Sequence, residues 1–202
     1  MPGLLPRAKP SSAASITWIA AMKRWCASCA ASAPISNASR RSPMADARFT
    51  DADPAPLALL ASDAEDLTVI SALAQDAILP VTEIAYDSRH RQLALLLNRF
   101  RWEDAELARR DGRPYERVRS VLLVSDVRRV LSDGIDRKDK DLILELLTLT
   151  WQAGEDGTGL LLLEFAGDGT LAVEAECLNV ELRDVTRPYV APSRHAPQHP
   201  DS

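Results

Sequence analysis

The sequence predicts an α+β domain: an antiparallel sheet of about seven strands with an amphipathic helix on its N-terminal side. Three observations carry this expectation. Apolar and polar residues alternate over seven short runs between residues 81 and 177. Several connections between those runs, DSRH, AGEDGTG and GDG among them, are too short for a crossover, so the strands they join run antiparallel. One earlier stretch instead repeats its apolar residues at helical spacing. A half-open barrel like the pleckstrin-homology superfold is the preferred arrangement, with a single sheet packed on the helix as the alternative.

The elements follow in chain order. Ser62 and Glu65 fit an S-x-x-E capping box, and Asp63 and Asp66 complement the helix dipole. Leu67, Ile70, Leu73, Ala74 and Ala77 then continue a helix of about four turns that Pro80 stops. Beyond Pro80 the period falls to two. Residues 81–86 and 92–100 form a hairpin, with Leu93, Leu95 and Leu97 on one face and Leu96 and Phe100 on the other. The polar segment WEDAELARRDGRPY, closed by Gly112 and Pro114, reads as a long loop or a short exposed helix. Residues 118–124 and 127–135 are strands, turning at Asp126 and ending at Asp133 and Gly134.

Residues 142–151, 160–166 and 171–177 make a meander. Leu161, Leu163 and Phe165 alternate with Leu162 and Glu164, and Leu171, Val173, Ala175 and Cys177 alternate with Glu174 and Glu176. Leu178, Leu182 and Val185 fit a short helix, and the closing TRPYVAPSRHAPQHPDS is Pro-rich and expected to order poorly.

Composition divides the chain. Of 202 residues, 46% are hydrophobic and 26% charged, and the net charge is −5. Residues 1–43 nonetheless contain no Asp or Glu, only six basic residues; removing these from the 24 leaves 18 basic against 29 acidic from Met44 onward, a balance of −11. Such a surface repels phosphate, which argues against nonspecific DNA binding. The expected organisation is a non-native or disordered leader over 1–43, a flexible lead-in over 44–61, one α+β domain over 62–187 and a Pro-rich tail over 188–202. Back-translated with GC-rich codons and shifted by two nucleotides, residues 16–39 read HLDRGYEALVRKLRGIGADIERV. That string resembles the C-terminal tail of UDP-N-acetylglucosamine enolpyruvyl transferases, so the expected start is Met44. Without the leader, the C-x-x-C of Cys26 and Cys29 drops out and Cys177 is the one thiol, read as a small core residue. No apolar run approaches the roughly 20 residues that span a bilayer, so no membrane is expected and the cytoplasm is the default compartment.

The strings LLNRFRWED, GRPYERVRSVLL, GIDRKDKD, FAGDGT, AECLNVEL and DVTRPYVAPSRHAP resemble the bacterial, mainly alphaproteobacterial, domain-of-unknown-function family numbered 2948. The resemblance runs from about Met44 to the end. It implies no activity and lends no catalytic residue.

The chemistry-bearing residues point to binding more than to catalysis. No nucleophile elbow, Ser-His-Asp set or phosphate-binding Gly-Lys-Ser/Thr loop is present, and GEDGTG lies between strands as a hairpin turn. His90, His195 and His199 lack ligand spacing, so no metal and no cofactor is expected. Glu145, Glu164, Glu174 and Glu176 read as a solvated sheet face. Of the 18 basic residues after Met44, fourteen lie between Arg89 and Lys140, interleaved with aromatic residues. Arg99, Phe100, Arg101, Trp102, Tyr115, Arg117 and Arg119 are therefore the candidate binding residues, of the types that interfaces, anion pockets and RNA sites prefer. Twelve acids over residues 81–141 offer the competing outcome, internal pairing. The leading expectation is a small non-enzymatic binding or adaptor module with a protein partner. An arginine-lined pocket for an anionic metabolite, in a binding protein or enzyme, is the first alternative, and RNA binding the second.

Overall fold

The computed structural model describes residues 56–190 and Pro197. The chain divides into two units, Met1–Ala52 and Asp53–Ser202, and the described residues belong to the second. The proposed leader lies outside them, as do His195 and His199. Among the described residues the chain forms β1 (Ala58–Ala61), α1 (Ala64–Ala74), β2 (Ala77–Pro80), β3 (Ile84–Asp87), β4 (Gln92–Phe100), α2 (Trp102–Asp111), β5 (Glu116–Val124) and β6 (Val127–Asp133). It continues with β7 (Ile143–Ala153), β8 (Gly159–Phe165), β9 (Thr170–Ala175), β10 (Val180–Asp184) and β11 (Tyr189–Val190). Short 3-10 turns cover Val81–Glu83 and Glu155–Gly157.

The expected antiparallel sheet with helices is present, but with eleven strands among the described residues where about seven were expected. Their order is β1-β10-β5-β4-β2-β7-β8-β9-β6, with β3 paired to β4 and β11 to β5, and every pairing is antiparallel. The connectivity requires curvature. β5 and β6 stand six positions apart in this order, roughly 29 Å in a flat sheet at 4.8 Å per strand. Yet only Ser125 and Asp126 separate them in the chain. The sheet therefore rolls until its β6 end returns beside the β3–β4 turn, where the Val127 amide donates to the Arg91 carbonyl at 2.9 Å.

Asp126 makes this corner by adopting φ +58°, where its carbonyl accepts from the Glu176 amide and its carboxylate from the Asn179 side chain. The inward residues of the rolled sheet, including Leu95, Leu122, Val124, Val127, Leu146, Leu163, Val173 and Val180, join Leu67, Ile70 and Ala74 of α1 in one core.

Several local expectations need correction. α1 is capped by Asp63, whose carboxylate accepts from the Asp66 amide at 2.9 Å, so the capping pair sits one residue later than Ser62 and Glu65 suggested. It ends at Ala74, and Asp76 at φ +58° turns the chain into β2, so Ala77 lies in a strand. The polar segment after Phe100 is α2, closed by Gly112 at φ +65°. Residues 180–184 are β10 and not a helix, because Val180 and Leu182 both face the core at strand spacing between β5 and β1. β9 ends at Ala175, which leaves Cys177 exposed instead of in the core. The boundaries expected at 62 and 187 fall inside the fold, since β1 precedes the first and β11 follows the second.

Candidate functional site

The expected basic and aromatic residues are brought together, but mostly with one another and with acids. Leu97 and Arg99 lie two residues apart on β4, so Arg99 continues the inward face and is fully buried. Its Nε and Nη2 donate to Oδ1 and Oδ2 of Asp184 at 3.1 and 3.0 Å, and its Nη1 and Nη2 donate to the two Glu103 carboxylate oxygens at 2.9 and 2.8 Å. The buried Ser120 hydroxyl accepts from Arg99 Nε at 3.1 Å and donates to Asp184 Oδ1 at 2.6 Å. The Leu57 amide donates to Asp184 Oδ2 at 3.1 Å. One guanidinium thus ties together β4, β5, β10 and the first turn of α2, and Asp184 extends the network to the approach to β1. Burial pulls the Arg99 pKa down, but the hydrogen bonds to Glu103 and Asp184 outweigh it and hold the pKa above its ordinary value.

The other candidates follow the same pattern. Phe100 is fully buried, with its ring centroid 4.7 Å from that of Trp102 and 5.6 Å from that of Tyr115. The Trp102 indole N–H donates to the Gln75 carbonyl at 3.1 Å, tying α2 to the end of α1. Arg101 pairs with Glu116 and lies 3.6 Å from Glu103. Arg117 donates to the Asn98 carbonyl at 3.0 Å, and Arg119 pairs with Glu83 at 2.8 Å. Arg99 and Phe100 are therefore not surface residues, and the arginines of the set are engaged internally. A cavity of about 360 Å³ beside this cluster contains Arg101 and Arg187, but also Glu103 and Asp184, so its charges oppose one another.

Glu174 lies 3.8 Å from Arg129 and Glu176 2.8 Å from Arg91, while Glu164 and Glu174 sit at opposite ends of the β8–β9 ladder. Among the described residues no cluster of His, Cys, Asp and Glu has metal-binding geometry. Partial desolvation, and then the hydrogen bond to Asp126, push the Cys177 thiol up, which keeps it protonated and weakly nucleophilic.

A roomier groove lies elsewhere. β2 pairs with β7 only over residues 143–146, whereas β8 pairs with β7 as far as Ala153. From Leu147 onward one edge of β7 has no neighbouring strand among the described residues. α1 lies beside this edge, and between them is a groove of about 520 Å³ lined by Ala64, Thr68, Ser71, Ala72, Leu149 and Trp151, among others. The bulge between Leu146 and Thr148 resets the alternation of the strand. The Leu149 amide consequently points at α1 and donates to Ser71 Oγ at 2.9 Å, while the Gly154 amide points the other way, to Thr158. By alternation, the amides and carbonyls of Trp151 and Ala153 face the lane beyond β2. Sequence reasoning singled out none of these residues. No sequence signal was available, because the groove arises in the fold from a four-residue strand beside an eleven-residue one.

The family described as "Protein of unknown function (DUF2948)" matches residues 57–199, and the chain belongs to that family. No curated protein and no solved structure matches it. Among the described residues no helix is long and apolar enough to cross a membrane.

Proposed function

We propose that this chain is a non-enzymatic binding module that takes up an extended segment of a protein partner along the open edge of β7. The observation that carries the reading is the lane left where β2 ends, with strand donors and acceptors on one side and α1 as the opposite wall. Peptides that add a strand to an exposed edge gain affinity from main-chain hydrogen bonds and specificity from side-chain pockets. The free stretch runs from Thr150 to Ala153, because the Leu149 amide is already taken by Ser71, and measures roughly 13 Å of extended chain. A rolled antiparallel sheet with a helix beside its open strand also supports the likeness to a pleckstrin-homology half barrel. The arginine-rich cluster serves this reading as a structural clamp, and the charges around it favour neither a metabolite anion nor RNA. The cytoplasm remains the proposed compartment, as the default for a chain with only three cysteines.

The test is a selection of displayed random peptides on the full chain, repeated with Ala72→Trp. Ala72 is exposed and lines the groove, so an indole there fills the lane without entering the core. Selected peptides should lose binding to the variant and to their own backbone N-methylated forms. Peptides that bind both proteins equally would overturn the reading.

A further inference from the structure

β6 ends the sheet with one edge unpartnered. It pairs with β9, and among the described residues no strand pairs with its other side. Its first two residues are held at the β3–β4 hairpin, where the Val127 amide donates to the Arg91 carbonyl and the Arg128 carbonyl accepts from the Tyr86 hydroxyl. The stretch from Arg129 to Asp133 lies beyond that anchor, with Arg129, Leu131, Ser132 and Asp133 exposed. An edge of this kind is a template for another chain. The phase of the ladder decides which groups it offers. The Phe165 amide donates to the Gly169 carbonyl, so Glu164 and Thr170 form a non-hydrogen-bonded pair. Alternation along β9 then turns the main-chain groups of Leu171, Val173 and Ala175 toward β8, and those of Thr170, Ala172 and Glu174 toward β6. Their partners Asp133, Leu131 and Arg129 engage β9 in return. Val130 and Ser132 lie between them, and each points its amide and carbonyl out of the open edge.

The side chains along this edge form a row that matches itself when inverted. Val130 packs on the core, so Arg129, Leu131 and Asp133 share the outward face as cation, leucine and anion at even spacing. Leu131 is 39% exposed. Arg129 lies 3.8 Å from Glu174, while Asp133 accepts from the Gly134 amide at 3.1 Å and forms no ion pair among the described residues. An antiparallel second copy with its twofold axis at Leu131 sets Val130 against Ser132 of the other copy in hydrogen-bonded pairs on both sides of the axis. Leu131 then meets its own equivalent, and each Arg129 meets an Asp133, at the non-hydrogen-bonded positions where side chains lie closest. Moving the axis by one residue sets Arg129 against Leu131, or Leu131 against Asp133, and loses both charge pairs. The sheet's other terminal strand, β1, has four residues and no charge to select a register.

We propose that β6 is a self-association edge, on which a second copy of this chain adds its own β6 antiparallel with Leu131 on the twofold axis. The outward apolar row of Leu131, Ala172 and Leu162 then continues from one copy into the other. This inference is independent of the strand-addition reading at β7, which uses a different edge.

Sedimentation of the full chain over a concentration series, with amide hydrogen exchange on the same samples, tests it. The native chain should form dimers by roughly 100 μM. The Val130 and Ser132 amides should gain protection as it does, while the Leu131 amide, already bonded to β9, stays unchanged. Asp133→Arg and Arg129→Glu each set like charges opposite one another in a self-dimer and should weaken self-association about tenfold. Both positions are exposed, so neither change touches the core. Mixed in equal amounts, the two variants regain both opposite-charge pairs and should associate with each other in preference to themselves. A native chain that stays monomeric throughout, a dimer that leaves Val130 and Ser132 unprotected, or variants that associate no better mixed than alone would each overturn the proposal.

Discussion

Arg99 and Asp184 meet through two parallel hydrogen bonds, Nε to Oδ1 at 3.1 Å and Nη2 to Oδ2 at 3.0 Å, linking β4 to β10 across the Ser120 position of β5. The Arg99 side chain has no solvent exposure and that of Asp184 only 7%, so both charges depend on their partners more than on bulk water. Breaking a buried pair from one side strands the remaining ion and costs about 3–5 kcal/mol. Arg99→Leu, which leaves Asp184 buried with no opposite charge, should lose stability of this order in urea unfolding, and Asp184→Ala should lose less, because Arg99 keeps its pair with Glu103. Glu83→Gln, which removes the partner of the more exposed Arg119, should lose under about 1 kcal/mol. Equal losses at the two sites would contradict the clamp.

Glu103 gives the clamp its pH dependence. Burial raises its pKa, but the Arg99 hydrogen bond, a backbone hydrogen bond and the charges of Arg99 and Arg101 outweigh this, so the carboxyl titrates below its ordinary range. A carboxyl depressed by folding contributes stability above its unfolded pKa, about 4.3 for Glu, and loses it as pH falls through the folded value. The stability difference between the native chain and Glu103→Gln should hold from pH 7 to about 5 and shrink below about 4. A difference that stays constant down to pH 3 would separate Glu103 from acid unfolding.

What was legible in the sequence was whatever a single segment determines. The stripe of Leu67, Ile70 and Ala74 and the alternation of Leu161, Leu163 and Phe165 are local periods, and the structure buries all six side chains. Four-residue strands such as β1 and β2 are too short to show a period, and their longest pairings, with β10 and β7, join residues more than sixty positions apart. β10 was open to a helical reading because Leu178 and Leu182 are four apart, although Val180, also buried, restores a period of two. Arg99 lies in phase with Leu93, Leu95 and Leu97, which already placed it on an inward face; its composition drew it to the surface. The groove had no local signal at all, since it arises from the difference in length between β2 and β7.

Gly159 should tolerate no side chain. A Cβ at this position would fall within the Trp151 indole and 2.6 Å from the Gln152 carbonyl oxygen, in the antiparallel ladder of β7 and β8. Such a contact forces the ring or the strand to move, at about 1–3 kcal/mol for an overpacked site. Gly159→Ala should lower the melting temperature, whereas Gly157→Ala, with open space but φ +80°, should be limited to backbone strain. Because Trp151 lines the groove, the indole fluorescence of Gly159→Ala should also shift in the folded state. An unshifted spectrum would place the ring elsewhere.

The open edge of β7 can be read without any ligand. Thr150 and Gln152 face β8, opposite Leu162 and Leu160, and their amides belong to the ladder. Trp151 and Ala153 point the other way, into a lane with no strand partner among the described residues, and Leu149 points there but is held by Ser71. Amide hydrogen exchange should alternate along the strand, with Thr150 and Gln152 protected, Trp151 and Ala153 exchanging early and Leu149 protected to an intermediate degree. Ser71→Ala should release the Leu149 amide and cost about 1–2 kcal/mol, because it removes the acceptor of a part-buried donor. A segment bound by strand addition would then protect Trp151 and Ala153 while leaving Thr150 unchanged. Uniform protection of all five amides in the free chain would mean the lane is already filled.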